Sequence, residues 1–127
     1  MGKIAQFISV LINSRDQAHI LHLQATGVGS FARHSALNGY YDGIVGLFDR
    51  YVEVYQGKYQ QILKGYTPAD RFTEGEGADS ALKFFASLEK YVSGAAANLP
   101  KDPDLVNIHA DILELIHETQ YKLTFLS

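Results

Sequence analysis

His22, His34, Asn38, Asp49 and Glu53 bring together imidazole nitrogens and side-chain oxygens, the donors that hold first-row metals. Asp49 and Glu53 are one helical turn apart, so their carboxylates can converge on one ion. The imidazole of His34 cannot join them within the same chain. At ~1.5 Å rise per residue, His34 and Asp49 lie roughly 22 Å apart on any helix carrying both. A metal centre built from these residues therefore has to form between two copies of the chain.

The elements that position them are helices. Apolar residues at intervals of three and four predict helices over residues 3–26, 30–64, 78–99 and 103–126. The first carries Ile4, Phe7, Ile8 and Leu11, continuing through Ala18, His19 and His22. The second carries Leu37, Tyr41, Ile44, Phe48, Val52, Tyr55, Tyr59 and Ile62. Gly27 and Gly29 end the first, Gly65 closes the second and Pro100 ends the third. Asp102-Pro103 starts the fourth, with Asp102 expected to accept from free amides. Residues 66–77 read as the one substantial loop. The expectation is all-α: a single domain over residues 1–127, folded as an antiparallel four-helix bundle with a longer connection between helices two and three.

His22 and His34 sit symmetrically about Val28, where an antiparallel hairpin makes such positions face each other. His22 lies on the buried stripe, and an imidazole there is either a neutral ligand or a satisfied core histidine. On helix two, Asn38, Asp42, Asp49 and Glu53 share a strip beside the apolar stripe. Gly39, Gly43 and Gly46 occupy the next strip round, although each costs ~1 kcal/mol relative to alanine inside a helix. Small residues admit a close neighbour. A twofold axis near Gly43 would pair helix two with its copy and bring His34 of one chain to Asp49 and Glu53 of the other. The alternative is that these glycines permit bending or make room for Tyr40 and Tyr41.

The run His22, eleven residues, His34, three residues, Asn38, ten residues, Asp49, three residues, Glu53 resembles the ferroxidase signature of the Dps family, miniferritins of the ferritin-like superfamily. His34-Ser-Ala-Leu-Asn38-Gly39 is similar to the segment after that family's second ligand histidine. The likeness covers about residues 15–57, and elsewhere only the four-helix layout. It implies a ferritin-like fold and an iron centre between two subunits, with His22 and His34 from one and Asp49 and Glu53 from the other. Asn38 would be a weak ligand or a neighbour. Iron, as Fe(II) and Fe(III), is the implied cargo, with other divalent metals as candidates, and Fe(II) oxidation by peroxide or oxygen is the implied reaction. The implied partner is a second copy through helix two, with the family's larger shell left open, and the implied role is protection from oxidative stress. Three departures follow. Asn38 replaces a usual carboxylate, Leu23 stands where tryptophan often follows the first histidine, and the middle loop is too short for the family's extra small helix.

Composition bounds the other readings. The chain has 127 residues, 46% of them hydrophobic, and no cysteine, which excludes thiolate chemistry and fits a cytoplasmic location. Its net charge of -3 and pI of 5.9, with only Lys3 ahead of the first apolar run, argue against nucleic-acid binding. No apolar run reaches membrane-spanning length. Glu114 and His117 have the spacing of larger di-iron proteins but fall away from the apolar stripe of helix four. His19 and Asp16 are weaker candidates, His109 reads as structural, and the tyrosines read first as core. The competing function is a metal-free helical bundle acting in assembly or interaction.

Overall fold

The computed structural model describes residues 2–75 and 78–126. Among these residues there are four α-helices, α1 (Gly2–Leu23), α2 (Ser30–Tyr59), α3 (Ala78–Ala95) and α4 (Pro103–Phe125), with a 3-10 turn at Ala96–Asn98. They surround one core. Phe7, Ile8 and Leu11 of α1 meet Leu37, Tyr40, Ile44 and Tyr51 of α2, Phe85 and Val92 of α3, and Leu105, Ile112 and Ile116 of α4, all buried.

The pairings α1–α2, α2–α4, α4–α3 and α3–α1 close a ring around that core. Ser14 meets Tyr40 and Phe7 meets Tyr51 across α1 and α2. Arg50 meets Asp111 and Lys58 meets Asp104 across α2 and α4. His109 reaches the Val92 carbonyl and Gln120 the Phe85 carbonyl across α4 and α3. In each pair, rising numbers on one helix meet falling numbers on the other.

The turn between α1 and α2 uses both glycines in the left-handed region, Gly27 at φ 86° and Gly29 at φ 75°. Arg33 locks it by donating to the carbonyls of Thr26 and Val28.

The end of α2 corrects the expected boundary. The helix stops at Tyr59, because Gln60 adopts φ 54° and its N–H closes the last turn on the Gln56 carbonyl. The Gln56 side chain then accepts from the Leu63 amide at 2.9 Å, which draws the chain out of the helix. Leu63 is buried and Ile62 is exposed, the reverse of the helical stripe. Asp102 also departs from expectation. Its side chain caps no amide, and instead accepts from the Tyr59 hydroxyl at 2.6 Å with Lys58 nearby. That phenol holds the Asp102 carboxyl below the usual carboxylate range.

After α2, residues 65–75 form an extended strap lying along α1. Gly65 packs on Ala5, the Thr67 amide donates to Ser9 Oγ at 2.9 Å, and Gln17 holds both the amide and the carbonyl of Thr73 at 2.7 Å. Gln24 Oε1 accepts from the Gly75 amide at 2.9 Å. Strap and helix therefore advance together. Retracing α1, ~33 Å long, at ~3.3 Å per extended residue needs roughly ten residues, which explains why this connection is the long one.

Candidate metal centre

His22 closes α1 and is buried, while His34 is in the second turn of α2 and is exposed. Their rings stack with centroids 3.6 Å apart and planes at 28°. His22 Nδ1 lies 3.0 Å from the His34 carbonyl, and His34 Nδ1 lies 3.3 Å from the His22 carbonyl. A carbonyl only accepts, so each Nδ1 carries a proton, and the neutral form of either ring has its lone pair on Nε2. A backbone carbonyl on the far nitrogen is the usual outer partner of a metal-binding imidazole.

The stack also limits what the pair can do. Planes inclined at 28° and 3.6 Å apart meet roughly 7 Å from the ring centres, whereas a bound ion sits ~2.1 Å from its nitrogen. In this arrangement the two imidazoles could not share one ion, and each would need its own. His19, a turn earlier on α1, stacks on Tyr41 with centroids 4.4 Å apart. Tyr41 also stands edge-on to His22 at 5.3 Å.

Asn38 is already engaged. Its Oδ1 accepts from the Tyr41 hydroxyl at 2.6 Å, and its Nδ2 donates to Asp42 Oδ2 at 3.0 Å. The amide thereby fixes its own orientation and steadies the Asp42 carboxylate a turn further on. This Tyr41–Asn38–Asp42 chain was not read from the sequence, although its three- and four-residue spacings on one helix were the available signal.

Asp49 and Glu53 are exposed on α2 and make no hydrogen bond or ion pair among the described residues. Two carboxylates one turn apart with no cation between them repel each other mildly. They remain a helix length from the histidines, and among the described residues no group of three or more His, Asp or Glu side chains comes close enough to hold an ion.

The glycine strip divides. A Cβ at Gly43 would meet the terminal methyls of Leu115 at 3.2 and 3.4 Å, so the helix approaching there is α4 of the same chain. Gly46 faces open space and Gly39 has only the tip of Lys122 within 4 Å. Close approach by a second copy is open at Gly39 and Gly46.

The remaining candidates are accounted for locally. His117 is exposed, with Nε2 3.5 Å from Glu89 on α3, and Glu114 is exposed. Asp16 pairs with Arg15 at 3.1 Å. His109 donates from Nε2 to the Val92 carbonyl at 2.8 Å and stands beside Phe7, a structural placement.

No helix among the described residues is long and apolar enough to cross a membrane. Neither curated proteins nor solved structures give a match to the chain. A family model described as "Family of unknown function (DUF5856)" matches residues 22–123, a span that includes His22, His34, Asn38, Asp49 and Glu53. By that match over most of its length, the chain belongs to the DUF5856 family.

Proposed function

We propose that this chain is a Dps-like, ferritin-type iron-binding protein whose metal centre is completed by a second copy. The observation that carries the reading is the reciprocal bonding of His22 and His34, which leaves both Nε2 atoms at one end of α2 for a ligand, while towards the other end Asp49 and Glu53 have no partner among the described residues. A twofold axis crossing the middle of α2 brings the two halves together, nitrogen from one chain and oxygen from the other. With the rings stacked, each imidazole would take one of two adjacent ions. The helix order, with opposed neighbours and a long connection between the second and third helices, supports the antiparallel ferritin-like arrangement.

Iron is the cargo, held by a mixed nitrogen and oxygen set suited to a divalent first-row ion. Asn38 contributes no charge and its amide is committed to Tyr41 and Asp42. Capture of Fe(II) is therefore favoured over rapid oxidation by peroxide or oxygen. The test is anaerobic Fe(II) titration of the wild type and of the His34→Ala/Glu53→Ala variant, with helicity followed by circular dichroism. Loss of binding with helicity intact is the expected result, and equal binding by the variant overturns the reading.

The same reciprocal bonds favour a second reading, since they stitch α1 to α2 with no metal present. Under that reading the chain is a metal-free assembly module. It then dimerises through α2 and binds no Fe(II).

A further inference from the structure

A groove of about 310 Å³ opens between the start of α1 and the end of α3, at the opposite end of the bundle from the histidines. Among the described residues its charged lining is Lys3 and Lys90, with no Asp or Glu. The carboxamides of Gln6 and Asn98 and the phenol of Tyr91 complete the polar lining, with Leu99 as an apolar wall. In a chain of net charge -3 this is a local reversal of sign.

The two ammonium groups are also uncommitted. Neither Lys3 nor Lys90 forms an ion pair or side-chain hydrogen bond among the described residues, whereas Lys58 is paired with Asp102 and Asp104. The nearest acid in sequence, Glu89, is turned to His117 on α4. The carbonyl end of α3 would repel an anion. In its last turn the Val92 carbonyl is engaged by His109 Nε2, and just beyond it the Ala96 carbonyl accepts from Lys101 Nζ and from the Leu99 amide. Burial raises the Tyr91 phenol above its ordinary range, so it remains a neutral donor at physiological pH.

We infer that this groove binds a small organic anion, a phosphomonoester carried on a ring. Lys3 and Lys90 neutralise the phosphate, the two carboxamides and the phenol donate to its oxygens, and the ring lies against Tyr91 and Leu99. The volume is at the small end of ligand pockets, which suits one ring and one phosphate and not a dinucleotide. The inference is independent of the metal reading.

Phenyl phosphate is the probe, titrated calorimetrically into the full chain at low ionic strength. One saturable site per chain is expected, weakening as salt rises. Lys3→Gln/Lys90→Gln should lower affinity by roughly tenfold or more. Lys83→Gln/Lys122→Gln, which removes the same charge elsewhere, should leave it unchanged. Phenol should give no saturable heat, and inorganic phosphate should bind more weakly than the ester. Absence of saturation, wild-type affinity in Lys3→Gln/Lys90→Gln, or equal weakening by the control pair overturns the site. Equal affinity for inorganic phosphate and the ester, or saturable binding of phenol, overturns the assignment of a ring-bearing phosphate ligand.

Discussion

Mixing two inactive variants discriminates between a metal site inside one chain and a site shared by two. His34→Ala and Glu53→Ala each remove one ligand, from opposite halves of the proposed set, so in each homodimer both sites are defective. In a heterodimer the two losses fall together on one site, and the other keeps a native His34 and a native Glu53. Random re-pairing of an equal mixture makes about half the dimers mixed, with one of two sites intact, so about a quarter of wild-type capacity returns. Both variants should fold. Glu53 has no partner among the described residues, so its loss should change stability by no more than ~0.5 kcal/mol. His34→Ala gives up one hydrogen bond and the ring stack, about 1 to 3 kcal/mol together, while its backbone carbonyl still serves His22. The assay is Fe(II) retained per chain after anaerobic mixing and desalting, scanned across mixing ratios. Capacity should peak at equal proportions. Zero capacity at every ratio, with mixed dimers demonstrated by native mass spectrometry, would refute the shared site.

Further expectations concern single residues. Asn38→Asp restores a carboxylate and should tighten Fe(II) binding in titration. It should also lower Tm slightly without metal, since like charges then face each other across a turn from Asp42, at about 0.2 to 0.5 kcal/mol. Gly46→Ala fills open space, so it should raise chain stability in urea by up to ~1 kcal/mol, while light scattering on dilution shows weaker dimers if a second copy packs there. Unchanged dimer affinity removes Gly46 from the interface. At the buried Tyr40–Ser14 contact of 2.7 Å, Ser14 already donates to the Leu11 carbonyl, so Ser14→Ala orphans a buried phenol and Tyr40→Phe does not. Urea titrations should show the serine variant losing more, within about 1 to 3 kcal/mol. Burial pushes the Tyr51 phenol from 10.0 up to about 12. The unfolded chain therefore releases that proton first, and stability present below pH 10 is lost as pH rises towards 12. Tyr51→Phe should flatten that alkaline decline in Tm.

The helices were legible because apolar spacing reports directly on which face is buried. Ile4, Phe7, Ile8 and Leu11 all lie where their spacing puts them. What misled was chemistry that spacing does not carry. Ile62 extends the stripe of α2 by periodicity, yet Gln60 turns left-handed and Gln56 captures the Leu63 amide. Gly43 marks a close helix approach as its type suggests, but residue type cannot say whose helix arrives, and Leu115 of the same chain fills the place. At the candidate centre, the facing of His22 and His34 followed from their symmetry about the turn. Their tautomers, the near-parallel stack and the commitment of Asn38 depend on side-chain rotation, which one sequence does not encode legibly. Ser9, Asn13 and Gln17, each a turn apart on α1, were a readable ladder of amides and hydroxyls. Their partners are backbone groups of a loop with no periodicity of its own.

That ladder has a consequence for engineering and for divergence. Because Ser9, Asn13 and Gln17 of α1 grip peptide groups at Thr67 and Thr73, the information that seats the strap between those two residues is stored in α1. The exposed residues 68–72 can then be rewritten, tagged or replaced by a cleavable segment of equal span, whereas shortening the strap forces Thr67 and Thr73 off their rungs. Sequence drift should concentrate in this stretch, with its length held nearly constant and Gln17 kept as the clasp.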